Sequence, residues 1–363
     1  MKRLGPRLVA WLGLAFSLLI LAVLLARLDW AQFRRAAAEV PLWAWAGGSA
    51  GVLASHVLRA LRLRSEWRPR TGATLGECLR LALLHNAAVL LLPFRSGEAG
   101  YAWWLHRSWG VSLAEALHSL LWLRLQDLAV LGLLAVLLLL PVPLPVAALL
   151  TLALGGLLVL GVPALLHRLA ARYAVDDPTA AAAPSHATTA ADTTPTAAAP
   201  RGALGKTLAR VTGKLLQALA ARRSGVSSWL FAVTNWSLRL LVVGGLLVAL
   251  GVVDLAAGLR GALGGELGAL SPLQGPAGLG TYEAGVWAGA AWHGVTSTAA
   301  ALSTSAGVAE LAGAALAVHA MWLATGLVAA AFAALLPRLF GWPTRRVLLQ
   351  HPHGQAASPS APP

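Results

Sequence analysis

Long apolar stretches separated by short polar ones set the pattern of this chain. Runs at 8–26, 42–60, 119–140, 144–166, 228–252 and 309–336 reach the roughly 20 residues that an α-helix needs to cross about 30 Å of hydrocarbon. They predict an all-α fold, a polytopic integral membrane helix bundle. The first run, behind Lys2, Arg3 and Arg7, is long for the core of a signal peptide and is followed by further spans, so it reads as a retained anchor. Between the runs the pattern changes. Residues 178–200, "PTAAAAPSHATTAADTTPTAAAP", offer prolines and small polar residues and nothing to pack, the composition of a disordered linker. At 203–221, Leu204, Leu208, Val211, Leu215 and Leu219 share one helical face with Lys206, Arg210 and Lys214 opposite, which suits a helix lying on an anionic membrane surface. The expected organisation is a first membrane half at 1–170, a cytoplasmic linker at 171–202, a basic interfacial helix at 203–223, a second membrane half at 224–337 and a disordered cytoplasmic tail at 338–363.

Composition agrees: 58% of the residues are hydrophobic, 12% are charged and the mean hydropathy is +0.69, well outside the range of soluble domains. A formal charge of +14 would suggest nucleic acid in a soluble protein. Here the basic residues cluster beside the spans, at the N-terminus, 59–80, 201–223 and Arg338, Arg345 and Arg346, so they read as topology signals that place all four segments in the cytoplasm. No nucleic-acid partner is expected. Trp11, Trp30, Trp43, Trp67, Trp229 and Trp342 fall near span ends, where the ring suits the headgroup layer. Cys78 is the sole cysteine, which excludes an intramolecular disulfide and a cysteine-rich metal site.

Two segments repeat. "SGEAGYAWWLHRSWGVSLAEAL" at 96–117 and "TYEAGVWAGAAWHGVTSTAAAL" at 281–302 both carry Glu-Ala-Gly, then Gly-Val with Ser or Thr, then Ala-Leu. Each glutamate follows a Pro/Gly-rich break, "PFRSG" with Pro93 and Gly97 in one and "SPLQGPAGLG" with Pro276, Gly278 and Gly280 in the other. With the basic segments inside, the first motif dips in from the cytoplasm and the second from outside, which makes two inverted-repeat-like halves with re-entrant broken helices, as in many transporters. Irregular backbone at that depth exists only buried in protein or beside water. Two short full spans per motif preserve the same parity and remain open.

Charge inside an apolar run costs at least about 2.5 to 3.5 kcal/mol on insertion scales unless paired or hydrated. Arg95, Glu98, Arg124, Asp127 and Glu283 meet that test. Arg124 and Asp127 share a helix face and form either a packing ion pair or part of a polar cavity. Glu98 and Glu283 stand where a helix cap would, but at matching repeat positions, which favours a shared role. Arg95 suits either Glu98 or a lipid phosphate. "GPAGLG" lacks the Lys-Ser/Thr of a nucleotide loop. His56, His85, His118, His293 and His319 stand singly without metal or catalytic spacing and read as packed residues.

These motifs resemble the lysylphosphatidylglycerol synthase transmembrane family, the flippase-like domain proteins, over roughly residues 8–337. Pro93, Arg95, Gly97 and Glu98 match its first motif, Arg124 and Asp127 the charges of the next helix, and Pro276, Gly278, Gly280 and Glu283 its second motif, with Ala277 in place of a glycine. The further arginine that the family often has after the first glutamate is not matched; Tyr101 and Trp103 occupy that region, and Arg107 comes later. The resemblance implies a multi-pass protein of the bacterial inner membrane with both termini cytoplasmic, handling a lipid, in the best-understood members an aminoacylated phospholipid. The tail is too short for the soluble aminoacyltransferase domain of the synthases, so synthase activity is not carried over. The expected function is a flippase-like transporter of a phospholipid or lipid-linked headgroup. Arg95 and Arg124 would attract phosphate, while Glu98, Asp127 and Glu283 balance charge or bind a cationic headgroup. No enzyme activity, cofactor or metal is expected, and the partners are membrane lipids, with a homo-oligomer compatible. Two rival readings are a membrane scaffold for a separately encoded lipid glycosyl- or aminoacyl-transferase, and a lipid-modifying enzyme with Glu98 or Glu283 as base.

Overall fold

The computed structural model describes residues 34, 38, 40–92, 96–175, 226–270, 276–292 and 304–339. The run at 8–26, residues 176–202 of the expected linker, the expected interfacial segment at 203–223, residues 340–363 of the expected tail, and Pro93 and Arg95 lie outside the described residues, whereas 171–175 and 338–339, expected in the linker and tail, continue helices. Within them the fold is all-helical, with no strand. The first half comprises α1 (Leu42–Thr71), α2 (Leu75–Leu91), α3 (Glu98–Trp109), α4 (Leu113–Leu139) and α5 (Leu144–Val175). The second comprises α6 (Val226–Ala249), α7 (Leu255–Ala269), a 3-10 turn (Pro276–Gly278), α8 (Thr281–Ala290) and α9 (Ser305–Leu339). Local chemistry marks the boundaries. Thr74 and Glu77 form a reciprocal capping box at the start of α2, Ser112 and Asp254 cap α4 and α7, and Gly72 and Gly110 end α1 and α3 in the left-handed conformation, all of which satisfy orphan backbone groups.

α4, α5 as far as Gly161, α6, and α9 as far as Leu335 are long and apolar enough to cross a membrane. The run expected at 42–60 is helical as part of α1 but is not among those four, because Gly, Ser, His and Arg dilute its hydropathy. The remaining helices are short. α2, α3, α7 and α8 have 17, 12, 15 and 10 residues, which at about 1.5 Å per residue gives roughly 26, 18, 22 and 15 Å, less than the hydrocarbon thickness. They form two hairpins, α2–α3 and α7–α8, each interrupted at a motif break.

The two hairpins close differently. α7 and α8 meet backbone to backbone: a Cβ on Gly285 would lie 2.2 Å from the Gly264 carbonyl oxygen, and one on Gly289 2.1 Å from that of Arg260. Small residues let helices approach this closely where lipid supplies no hydrophobic drive. In the first hairpin Gly97 alone does this, its absent Cβ 2.2 Å from the Ala88 carbonyl carbon.

The apolar core has two clusters. One joins Val52, Val130 and Leu131 of the first half to Leu240, Leu247, Leu263, Val286 and Leu311 of the second, and the other holds Ala60, Leu63, Trp67, Tyr101, Leu105 and Ala116 within the first. Beside both clusters on α1 and α4 lies a polar set, Ser55, His56 and Arg62 on one helix and Gln126 and Asp127 on the other, all buried. Two tryptophans depart from the headgroup expectation. Trp67 is fully buried, its Nε1 donating to the Tyr101 hydroxyl, and Trp229 is buried edge-on against Trp122. Both rings found partners inside the bundle. Cys78 is buried as well. α5 by contrast exposes Leu144, Leu149, Leu152, Leu157 and Leu160, a flank suited to lipid tails.

Candidate functional site

The polar set is where the two halves meet. Ser55, Arg59 and Arg62 stand at helical spacing on α1, and the two arginines face Arg124 and Asp127 of α4. Arg62 Nη1 donates to Asp127 Oδ1 at 2.5 Å, and its Nη2 donates to Gln126 Oε1 at 2.8 Å and to the Leu123 carbonyl at 3.0 Å. The second half docks on the same residues. Trp236 Nε1 donates to Asp127 Oδ1 at 3.1 Å, Ser228 Oγ to Gln126 Oε1 at 3.0 Å, and Ser55 Oγ to Asn235 Oδ1 at 2.7 Å. Asp127 therefore takes hydrogen bonds from both halves at once. A buried carboxylate persists only with such partners.

The breaks deliver the glutamates. Glu98 is the first residue of α3, and Gly97 lets that helix start against the backbone of α2. Its Oε1 accepts from Arg124 Nη2 at 2.6 Å, and His85 Nε2 of α2 lies 3.5 Å from its Oε2. In the second half the 3-10 turn and Gly280, at φ 85°, precede α8. Glu283 Oε2 accepts from the Gly280 N–H at 2.7 Å, and its Oε1 is 2.7 Å from His319 Nδ1 of α9. Each histidine also meets a tyrosine of the short helix. His85 stands edge-on to Tyr101 with ring centres 5.5 Å apart, and His319 lies against Tyr282 at 4.2 Å.

Arg239 of α6 completes the set. Its Nε and Nη2 donate to Glu266 Oε1 at 3.0 and 2.6 Å, and its guanidinium lies 5.1 Å from the Trp236 ring centre and 4.3 Å from that of Trp322. Cation–π contact on two rings holds the charge where water is scarce.

These side chains enclose a cavity of about 130 Å³, lined by Arg59, Arg62, Arg124 and Arg239, by Asp127 and Glu266, and by His85 and His319 among others. A second cavity of about 40 Å³ in the first half shares Arg59, Arg62, His85, Arg124 and Asp127 with it. The charged residues thus border both spaces. The larger is concave and partly polar, set among helices long enough to span, and it shields its charged side chains from hydrocarbon. Among the described residues no group of three or more His, Cys, Asp and Glu is placed to hold a metal ion.

Of the residues singled out in the sequence, Arg124 and Asp127 line the cavity, with 3.5 Å between Arg124 Nη1 and Asp127 Oδ2. Each holds a closer partner elsewhere, Glu98 for Arg124 and Arg62 for Asp127. Glu98 and Glu283 reach the cavity one bond removed, through Arg124 and through His319. Ala277 lines it, and Gly278 and Gly280 shape the turn beneath. Arg95 and Pro93 are outside the described residues. Sequence reasoning missed Arg59, Arg62, Arg239 and Glu266. The first two were read as topological charge with the rest of 59–80, yet Arg62 is only 6% exposed, turned inward by the phase of α1. Arg239 is a single charge inside the run at 228–252, where charge in an apolar run is a signal, whereas Glu266 lies outside every such run in a segment that also carries Arg260. His85 and His319, read as packed, contact the two motif glutamates.

The fold and this cavity define a multi-pass α-helical membrane protein with a charged centre between its halves. The chain belongs to the family described as Lysylphosphatidylglycerol synthase TM region, whose model matches residues 10–306. No curated protein and no solved structure matches it.

Proposed function

We propose that this chain, a membrane protein of a lipid-handling family, moves a phospholipid or lipid-linked headgroup between the leaflets of a bacterial inner membrane, with both termini cytoplasmic. The observation that carries this reading is the cavity of about 130 Å³ whose arginines and carboxylates come from both halves, inside a bundle otherwise apolar enough to span. A headgroup in transit needs ionic partners that are already desolvated and held in place. The network supplies them, and the acyl chains remain in lipid beside flanks such as that of α5. The short hairpins α2–α3 and α7–α8 favour a re-entrant, inverted arrangement, in which Glu98 and Glu283 tie the broken helices to the cavity from opposite sides. In this reading Arg95, Glu98, Arg124, Asp127 and Glu283 are substrate-binding or charge-balancing residues.

Leaflet exchange in liposomes containing only this protein tests the proposal. With fluorescent phosphatidylglycerol, aminoacyl-phosphatidylglycerol and a polyprenyl phosphate, exchange of at least one lipid should exceed that of protein-free vesicles and fall about tenfold or more in Glu98→Gln and Asp127→Asn, each of which removes a desolvated charge partner. Exchange no faster than in empty vesicles for all three lipids would remove the reading.

A further inference from the structure

Three of the four cavity arginines are occupied. Arg62 holds Asp127, Arg124 holds Glu98 and Arg239 holds Glu266. Arg59 makes no ion pair among the described residues, and its one hydrogen bond there runs from Nη1 to Asn86 Oδ1 at 3.3 Å. A guanidinium carries five N–H donors in a planar fork, so most of those of Arg59 remain available to the two cavities that it lines.

Two neighbours point the same way. By accepting from Arg59, the Asn86 carbonyl oxygen fixes the orientation of its amide, which turns Nδ2 and its two donors elsewhere. On α1, just before Arg59, His56 is 2% exposed and neither ring nitrogen has a hydrogen-bond partner among the described residues. Buried polar groups in that condition ordinarily have a partner, supplied by protein or by something bound. Both groups face one spot on α9. A Cβ added to Gly326 would lie 3.5 Å from Asn86 Nδ2 and 3.6 Å from His56 Nε2. The helix leaves that spot without a side chain, and it adjoins Arg59, the one lining arginine that makes no carboxylate pair among the described residues.

We propose that Arg59, Asn86 and His56 form a binding site for a phosphodiester monoanion. One unmatched guanidinium balances one negative charge, and a dianion would leave a second charge buried without compensation. The two non-ester oxygens of a phosphodiester match the parallel N–H groups of an arginine fork, and Asn86 Nδ2 and an imidazole N–H supply further donors. The proposal rests on the lipid-handling reading, for it names the part of the headgroup that the cavity holds.

The test uses the full chain purified in detergent and titrated calorimetrically with dihexanoylphosphatidylglycerol, the soluble diester glycerophosphoglycerol, inorganic phosphate and dihexanoylglycerol. The phospholipid should bind and the uncharged diglyceride should not, with inorganic phosphate weaker than either diester. Arg59→Gln should weaken phospholipid binding about tenfold or more, equivalent to about 1.4 kcal/mol. Gly326→Ala adds a methyl at ordinary contact distance, so the fold and thermal midpoint should be kept while binding falls about tenfold. Arg70→Gln, which breaks a surface pair with Glu115, should change nothing. Binding of both diesters assigns the site to phosphodiesters in general, and binding of the phospholipid alone assigns it to lipid; either supports the site. Wild-type affinity in folded Arg59→Gln or Gly326→Ala, or diglyceride binding as tight as that of phospholipid, overturns it. Leaflet exchange separates the two proposals. Exchange at the wild-type rate in Arg59→Gln removes the site and leaves transport standing, whereas diester binding that depends on Arg59 in a protein that exchanges no lipid keeps the site and removes transport.

Discussion

The α2–α3 and α7–α8 hairpins perform one task with different chemistry. Each breaks a helix, starts a short one at or just before a Glu-Ala-Gly, and hands the glutamate to a histidine of a neighbouring helix. In the first hairpin the backbones crowd at a single glycine, Gly97, and the glutamate is bound to a guanidinium, so charge does much of the holding. The second is zipped along its length by glycines and binds its glutamate to an imidazole and a backbone N–H, so shape does. The same three letters therefore do not imply the same mechanics. Gly100 and Gly285 are the third residue of each motif, yet a Cβ on Gly100 would meet nothing within 4 Å and one on Gly285 would strike the Gly264 carbonyl.

That contrast gives the largest expected effect. Gly285→Ala should destabilise by about 3 kcal/mol or more, because neither backbone can yield. Gly100→Ala should shift stability by less than about 1 kcal/mol, in the stabilising direction expected for a helix interior. Unfolding titrated with sodium dodecyl sulfate in mixed micelles measures both, and equal effects would erase the distinction. Next come the glutamate partners. Arg124→Gln strips the guanidinium from Glu98 in a pair whose side chains are 28% and 22% exposed, so the cost should be about 2 kcal/mol, below the figure for full burial. Glu283→Gln forfeits one of two accepted hydrogen bonds and should cost about 1 kcal/mol. A reversed order in the same titration would mean that charge, not shape, secures the second hairpin. The smallest effect lies at Ala277, which holds a φ of 56° where the family motif has glycine. Ala277→Gly should relieve about 1 kcal/mol of left-handed strain and raise the unfolding midpoint; a fall would show that its methyl, which lines the cavity, contributes more than its backbone costs.

The long helices were legible because apolar runs are local signals, whereas α2 and α7 fall in none of those runs; Glu98, Arg124, Asp127 and Glu283 stood out because charge in or beside an apolar run is conspicuous. Arg59 and Arg62 were hidden among like charges: Arg68 and Arg70 are exposed, as a topology signal would be, and only helix phase turns Arg62 inward. Arg239 and Glu266 lie 27 residues apart, so no i,i+4 spacing announces their pair. The histidines resisted for a related reason. A lone imidazole on a helix carries no pattern, and what makes His85 and His319 partners of the two glutamates is the packing of separate helices.

Cys78 is the chain's single thiol, and it is closed off inside the first apolar cluster. The native protein is therefore a blank background for membrane-impermeant maleimides. A cysteine introduced at Gly76, where a new Cβ meets open space, or at exposed Pro143 would carry the whole labelling signal, so sidedness can be mapped position by position without first engineering the native residue away.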